Sequence, residues 1–291
     1  MDIVAIIGCR NEEPYLENCL RHLLANGISF AIIDHESTDG TAELLKSPEL
    51  RKGLVAYEVL PFAGVFELRA QLDAKEELAE RLAADWVIHH DADEVMHSYC
   101  QGETLHDAIK RLAAKGANVI NFDEFVFLPI EHIYLPETGP QRLVYYYFFE
   151  PAPFRLMRAW NRRDGLTMIT GNGHRRTGEG IAIAGESLAL RHYIFRNQMH
   201  AYQKYTLRHF STYETRELGW HSNRVDQPVQ RFSFPPTHVL ERLESPGTSA
   251  LSKGRPKTKH YWQWDVCSGA YDIPTSSSDS SGYGIRRFAG R

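Results

Sequence analysis

Short apolar runs alternate with amphipathic stretches over the first hundred residues, and this alternation restricts the fold more than any other feature of the chain. The runs are rich in β-branched side chains, as expected of strands that are buried on both faces. They cover residues 3–8, 30–33, 54–60 and 86–90. Strands that alternate with helices predict an α/β fold, with a mostly parallel central sheet and helices on both of its faces.

Polar residues follow three of these predicted strands. Residues 9–11 follow the first strand, Asp34 ends the second, and the acidic segment 91–94 follows the fourth. Right-handed crossovers bring the carboxyl ends of parallel strands to one edge, where open α/β sheets bind their ligands. Residues two apart in an extended chain point to the same side, so Asp91 and Asp93 can face one ion or phosphate. Their oxygens suit Mg²⁺ or Mn²⁺ carrying a diphosphate, although an acidic segment in this position can also simply cap a helix.

The composition excludes several classes of protein. Hydrophobic residues make up 43% of the chain and charged residues 24%, which is the balance of an ordinary globular protein. The net charge of −4 provides no basic field, so nucleic acid is not expected as a partner. No apolar run approaches the roughly 18 residues that span a bilayer, and the first residues lack the features of a signal peptide. The four cysteines form no C-x-x-C pair, so we expect no zinc ribbon and a cytoplasmic protein with at most peripheral membrane contact.

The pattern becomes less regular after residue 100. Helices are predicted over 104–115 and, with a basic character, over 197–218. Strands are predicted over 118–128, 143–149, 154–160 and 188–193. The glycine-rich, basic segment 171–176 is compatible with phosphate binding or, more simply, with a hairpin turn. Beyond about residue 224, Pro, Ser and Gly become frequent, which indicates an irregular and partly flexible C-terminal extension over 223–291.

Three segments resemble the family 2 glycosyltransferases of the GT-A fold. They are the Asn-Glu-Glu of residues 11–13, the stretch 32–41 and the acidic segment 91–94. The family's usual form near Asp34 is two aspartates, a small residue and then Ser-Thr-Asp-Gly-Thr. This chain keeps Asp34 and the last five of these residues but departs from the pattern at His35 and Glu36.

A further segment, Arg191-His192-Tyr193, is similar to a histidine-tyrosine segment in one branch of the same family. The resemblance is strong over residues 1–100, extends to about residue 210 and is absent beyond. It implies a GT-A-type, Rossmann-like domain over 1–222. Its first hundred residues would be the nucleotide-binding half, and 101–222 the acceptor half.

The resemblance also implies an activity. The enzyme would move a sugar, in the manner of a hexosyltransferase, from a nucleotide-diphosphate sugar to an acceptor hydroxyl, with Mn²⁺ or Mg²⁺ and with inversion. Such a transfer needs cations to stabilise the leaving diphosphate, a base to deprotonate the acceptor, and a site that excludes water. The acceptor can be a glycan, a lipid-linked intermediate or a small molecule.

The resemblance also implies roles for particular residues of this chain. The metal ion would be bound by Asp91, Asp93 and His192. The nucleotide and its diphosphate would be contacted by residues of the sheet edge and by basic side chains, namely Cys9, Arg10, Asn11, Asp34, Arg69, Asp91, Arg196 and Lys204. For the basic residues on helices, a solvated surface charge is the alternative interpretation.

The general base is harder to assign. Asp123 and Glu124 are the first candidates, because they lie on the predicted strand that follows the acidic segment. Neighbouring residues of a strand face opposite ways, so only one of the two can point into the site. Glu150 and Glu179 are alternatives, and the family's usual Glu-Asp pair at a helix start is not evident.

Two other classes of protein remain open from the sequence. A sugar nucleotidyltransferase on a similar fold would favour a glycine-rich loop after the first strand, whereas residues 9–12 contain no glycine. A non-catalytic module that binds a glycan or a nucleotide is favoured by His35, by Glu36 and by the missing Glu-Asp pair. Tight donor binding without turnover would distinguish this module from an enzyme.

Overall fold

The computed structural model describes residues 1–130, 142–169, 173–245 and 247–264. The strands are, in chain order, β1 (Ile3–Cys9), β2 (Ser29–Asp34), β3 (Leu54–Val59), β4 (Trp86–Asp91), β5 (Glu94–His97), β6 (Val119–Ile120), β7 (Phe122–Leu128), β8 (Tyr145–Phe149), β9 (Ala159–Asn161), β10 (Thr167–Met168), β11 (Arg176–Thr177), β12 (Leu188–His192) and β13 (Glu241–Arg242). The helices are α1 (Glu13–Ala25), α2 (Thr41–Leu44), α3 (Pro48–Arg51), α4 (Leu68–Arg81), α5 (Leu105–Ala114), α6 (Gln198–Tyr205) and α7 (Thr212–Arg216). None of the helices in the described ranges has the length and apolar character to cross a membrane. Residues 171–172 of the glycine-rich segment and 265–291 of the predicted extension lie outside the described residues.

The first sheet has the strand order β3-β2-β1-β4-β9-β6. Strands β1 to β4 run parallel, whereas β9 is antiparallel to both β4 and β6. Alternate residues of β1 enter different cores: Ile3, Ala5 and Ile7 pack with α1 and α5, and Val4 and Ile6 pack with α4. Because both faces of this strand are covered, its sequence is continuously apolar. The predicted α/β fold, with helices on both faces of a mostly parallel sheet, is confirmed.

A second sheet, in the order β13-β8-β7-β12-β5, contains most of the later strands. Its β12 is parallel to β7 and antiparallel to β5. The single strand predicted over 118–128 is divided at Asn121, so that β6 joins the first sheet and β7 the second. The buried Asn121 side chain accepts a hydrogen bond from Leu156 N (3.0 Å) and donates one to Ser187 Oγ (2.9 Å). These bonds satisfy the buried amide at the point where the chain changes sheets.

The acidic segment 91–94 is the other connection between the sheets. Strand β4 ends at Asp91 in the first sheet and β5 begins at Glu94 in the second. A strand rather than a helix follows the turn, so the segment does not cap a helix. Its carboxylates therefore lie at the junction of the two sheets.

The loop after β2 caps helix α1, which has no side-chain cap of its own. Glu12 N donates a hydrogen bond to Thr41 Oγ1 (3.1 Å). Glu13 N donates one to Asp39 Oδ2 (3.2 Å). The Ser-Thr-Asp-Gly-Thr stretch thus supplies acceptors for the unpaired amides at the start of α1 and joins the turns that follow β1 and β2.

The basic helix predicted over 197–218 is instead divided into α6 and α7. Between them the chain turns, and Phe210 forms an isolated β-bridge with Phe66 in the loop before α4. Phe66 N donates to His209 O (2.7 Å), and Ser211 N donates to Phe66 O (3.1 Å). A late part of the chain is thereby attached to the first half of the fold.

We expect Glu214→Ala to lower the free energy of unfolding by about 1–3 kcal/mol. The buried Glu214 carboxylate accepts hydrogen bonds from Leu68 N (3.0 Å) and Arg69 N (2.6 Å), and so it caps the first turn of α4. Urea unfolding measures the loss. The control is Glu217→Ala at the end of α7, an exposed position where we expect a change within about 0.5 kcal/mol. Equal stability of the two variants would contradict the capping role of Glu214.

Candidate active site

A cavity of about 610 Å³ opens at the carboxyl ends of β1 and β4, where the two sheets meet. Residues at the end of the first sheet line it together with Glu124 and His192 of the second sheet. Helix α4, parts of the segment 204–224 and residues 258–263 complete the wall. The position agrees with the rule that open α/β sheets bind ligands beyond the carboxyl ends of their strands.

Asp91 is held between two buried cations. Lys75 Nζ donates hydrogen bonds to Asp91 Oδ1 (3.0 Å) and to His90 O (2.9 Å), and Arg158 Nη2 donates one to Asp91 Oδ2 (3.2 Å). Burial opposes the charge on Asp91, but Lys75 and Arg158 outweigh it and hold the pKa of Asp91 well below its usual range. Asp91 is therefore ionised and anchors both cations at the cavity wall.

Glu94 completes this ionic network beneath the cavity. Its carboxylate accepts hydrogen bonds from Asp91 N (3.0 Å) and from Arg158 Nη2 (2.9 Å). Burial raises the pKa of Glu94 to about 7, against the opposing effect of Arg158. The guanidinium of Arg158 thus fixes the turn between β4 and β5, because it contacts Asp91 at the start of the turn and Glu94 at its end.

Asp93 lies beside a lysine and a histidine. Lys204 Nζ donates to Asp93 Oδ2 (2.6 Å), and His192 Nε2 lies 3.5 Å from the same oxygen. Burial opposes ionisation of Asp93, but Lys204 and His192 overcome it and lower the pKa of Asp93. Burial likewise disfavours the charged form of His192, yet Asp93 raises the pKa of the imidazole. The other ring nitrogen, Nδ1, is hydrogen-bonded to Glu124 Oε1 (2.6 Å), which fixes the orientation of the ring.

Two of the three predicted metal ligands come together. Asp93 and His192 line the same cavity side by side, so a carboxylate oxygen and an imidazole nitrogen can face one ion. Asp91 is kept from this pair, because Lys75 and Arg158 engage both of its oxygens. Over the described ranges, no three His, Cys, Asp or Glu side chains are arranged to hold a metal ion together. The residues present fit an ion with two protein ligands, whose remaining positions would go to phosphate oxygens and water.

The two acidic residues of β7 point to opposite sides of the strand. Glu124 lines the cavity between His192 and Arg155, and forms an ion pair with the latter. Asp123 does not line the cavity, and its Oδ2 accepts a hydrogen bond from the Tyr99 hydroxyl (2.8 Å). The structure therefore brings Glu124 to the site and leaves Asp123 outside it. Two other carboxylates considered from the sequence also lie outside it, namely Glu150 and Glu179.

Of the strand-edge residues predicted to contact a nucleotide, Arg10 and Asp91 line the cavity, whereas Cys9 and Asp34 do not. Arg10 lines it, with the guanidinium 3.3 Å from the centre of the Phe62 ring. Asp34 is buried and accepts a hydrogen bond from the Tyr57 hydroxyl (2.9 Å). Cys9 is aligned with Asp34 in the register of β1 and β2, and burial raises the pKa of its thiol.

Three further predicted residues do not line the cavity. Asn11 Oδ1 accepts a hydrogen bond from Thr38 N (2.7 Å), so this amide joins two loops. Arg69 forms an exposed ion pair with Asp73 (2.8 Å), and Arg196 is exposed. Of the four predicted basic residues, the structure places Arg10 and Lys204 in the cavity wall and leaves Arg69 and Arg196 outside it.

Sequence reasoning missed most of the cations of the cavity, namely Lys75, Arg155, Arg158, Arg208, Arg224 and Lys259. Lys75 lies on the apolar stripe of α4 between Leu72 and Leu78, and a lysine at such a position is the signal that could have revealed it. Arg158 has no comparable local signal, because its two carboxylate partners lie 67 and 64 positions away in the sequence.

Comparison with known proteins identifies a family. A family model described as glycosyl transferase family 2 matches residues 4–160, which is more than half of the chain. No curated protein sequence matches the chain.

Several solved structures are similar to parts of the chain. S. aureus TarS 1–349 has 16% identity and a TM-score of 0.36, over 56% of this chain and 47% of that one. The mannosyltransferase PcManGT from Pyrobaculum calidifontis, in complex with GDP-Man and Mn²⁺, has 20% identity and a TM-score of 0.32, over 41% and 34%. Glucosyl-3-phosphoglycerate synthase from Mycobacterium tuberculosis, in complex with Mn²⁺ and UDP-glucose, has 15% identity and a TM-score of 0.27, over 43% of each chain. This chain spans less than half the length of each of the three.

We expect Lys75→Met to lower the free energy of unfolding by roughly 1–3 kcal/mol. The substitution leaves the carbonyl of His90 without its donor and Asp91 with one cation instead of two, while methionine fills the same space. Thermal or urea unfolding measures the effect. The matched control is Lys46→Met, which breaks an exposed ion pair with Glu43 and should change stability by less than about 0.5 kcal/mol. A Lys75→Met variant as stable as this control would show that the network does not depend on Lys75.

Proposed function

The chain belongs to glycosyl transferase family 2, and from this premise we propose that it transfers a sugar from a nucleoside-diphosphate sugar to an acceptor hydroxyl. The observation that carries the proposal is the pair formed by Asp93 and His192 at a cavity edge rich in cations. A diphosphate needs positive charge as it leaves the sugar, and this wall of the cavity supplies it. We propose that residues 1–100 contribute most of the donor site and 101–222 most of the acceptor site.

A divalent ion, Mn²⁺ or Mg²⁺, would be held by Asp93 and His192. When bound, it would neutralise charge on the leaving diphosphate. Lys204 now lies against Asp93 and would be released toward the phosphate oxygens of the donor. Lys75 and Arg158 remain tied to Asp91, so they add a fixed positive field to the same wall.

Glu124 is proposed to position His192. A histidine that binds a metal ion through one nitrogen commonly gives its other N–H to a carboxylate, which fixes the tautomer. The bond from Nδ1 of His192 to Glu124 (2.6 Å) matches this arrangement and leaves Nε2 on the side of Asp93. Among the predicted bases, Glu124 lines the cavity and Asp123 does not, so an inverting transfer would draw its base from Glu124 rather than from Asp123.

We expect one of UDP, GDP, dTDP and CDP to bind the wild-type protein only in the presence of Mn²⁺. Asp93→Asn should weaken this binding at least about 100-fold, because it removes one of two protein ligands of the ion. Isothermal titration calorimetry with and without Mn²⁺ measures both effects.

The matched control for this experiment is Asp164→Asn, an exposed aspartate outside the cavity. It should bind the same nucleotide as the wild type does. Binding that is indifferent to Mn²⁺, or that survives Asp93→Asn, would refute the metal assignment. Binding without turnover of the matching nucleotide sugar would favour a non-catalytic module.

A second comparison separates the two carboxylates of β7. Glu124→Gln should weaken Mn²⁺-dependent nucleotide binding about 10- to 100-fold, since His192 loses its charged partner. Asp123→Asn should change this binding less than threefold, because Asp123 faces Tyr99 instead of the cavity. Calorimetry under the same conditions checks both. Normal binding by Glu124→Gln together with lost turnover would identify Glu124 as the base and not as the partner of His192.

A further inference from the structure

The cavity carries more positive charge than its carboxylates balance. Eight Lys and Arg side chains line it, against four Asp and Glu side chains, in a chain whose formal net charge is −4. Most of the cations near the strand edge are committed to carboxylates: Lys75 and Arg158 to Asp91, and Lys204 to Asp93. Cations without such a partner are therefore the ones that a bound anion would neutralise.

Two arginines of the segment 204–224 that line the cavity have no carboxylate within 4.0 Å in the described part of the chain. Arg208 lies over the ring of Phe66, 4.7 Å from its centre, and burial lowers the pKa of the guanidinium. Arg224 lies over Tyr205, 4.2 Å from the ring centre, and donates a hydrogen bond to Nδ1 of His221. Both arginines line the cavity, and each lies against an aromatic ring.

The cavity lining around these arginines also contains donors that lack acceptors. His221 accepts through Nδ1 from Arg224, so its proton is on Nε2, and burial lowers the pKa of the neutral ring to about 2. Within the described residues, His221 Nε2, Arg224 Nε and Trp262 Nε1 are buried without a hydrogen-bond partner. His221 has a φ of +59°, in the left-handed region, which is strained for a residue other than glycine. Unpaired donors beside a strained residue would be satisfied by a ligand that carries hydrogen-bond acceptors and negative charge.

We propose that Arg208, His221 and Arg224 form a second anion subsite, in the same cavity as the Asp93–His192 pair, which takes a phosphate or carboxylate group of a substrate. The inference deepens the proposed function and rests on it, since the subsite lines the same cavity. The anion has two sources: an acidic acceptor, or the diphosphate of the donor itself. Either would supply the acceptors that these donors lack.

The test is calorimetric titration with inorganic phosphate, without metal or nucleotide. We expect Arg208→Gln and Arg224→Gln each to weaken phosphate binding about tenfold or more, which is the weight of one lost charge-assisted hydrogen bond. The matched control is Arg216→Gln, an exposed arginine of the same segment outside the cavity, which should bind within twofold of the wild type. Circular dichroism confirms that each variant is folded. Because two independent variants are tested, the experiment still decides the question if one of them fails to fold.

A second arm identifies the source of the anion. With the protein saturated by its nucleoside diphosphate and Mn²⁺, unchanged phosphate affinity assigns the subsite to an acidic acceptor. Exclusion of phosphate, with equal weakening of nucleotide binding by Arg224→Gln, assigns it to the donor. The subsite is refuted if phosphate does not bind, or if both variants bind it as Arg216→Gln does. Because the first arm uses neither metal nor nucleotide, it decides the subsite even if the proposed nucleotide binding fails.

Discussion

One guanidinium connects the parts on which the site depends. Arg158 is buried immediately before β9 and contacts carboxylates at both ends of the turn between β4 and β5. That turn carries the chain from the first sheet to the second. Buried ion pairs are a poor source of stability, because desolvation offsets most of the attraction, but an uncompensated charge at such a place is costly. The network therefore acts mainly on geometry, by fixing where the two sheets meet and where Asp93 faces the cavity.

The cavity lining contains two groups of cations. At the strand edge, Lys75 and Arg158 lie against Asp91, and Lys204 lies against Asp93. Arg208 and Arg224 lie against aromatic rings instead. The cations of the first group are fixed by carboxylates, whereas those of the second group keep their donors for other partners. The acidic residues that stand out in the sequence therefore describe only part of the cavity lining.

The features that could be predicted from the sequence are those that depend on local residue patterns. The buried strands of the first half, the helix between them and the position of the acidic turn follow from apolar periodicity and crossover rules, and each is present. The break at Asn121 was not predicted, because β6 and β7 form one nearly continuous apolar run in the sequence. The two strands differ only in the sheet that each joins, which is a property of the tertiary structure. The prediction of one helix over 197–218 was wrong, because a β-bridge to Phe66 interrupts this segment. Local helix propensity contains no information about a partner so distant in the sequence. Arg158 was not predicted for the same reason, because its partners are distant in the sequence. Lys75 could have been predicted, because it is a lysine in the apolar stripe of α4.

The cap on α4 has a consequence for how the chain acquires its site. Glu214 supplies the acceptors for the first turn of a helix that begins 146 positions earlier at Leu68. Contacts of that sequence separation form late, because the loop they close must lose its entropy first. Strands β1, β2 and β3 are close in sequence and pair in parallel, whereas the helix that bears Lys75 has its first turn capped only when α7 is in place. We therefore expect the segment 204–224, which lines the cavity, to dock after these first strands have paired.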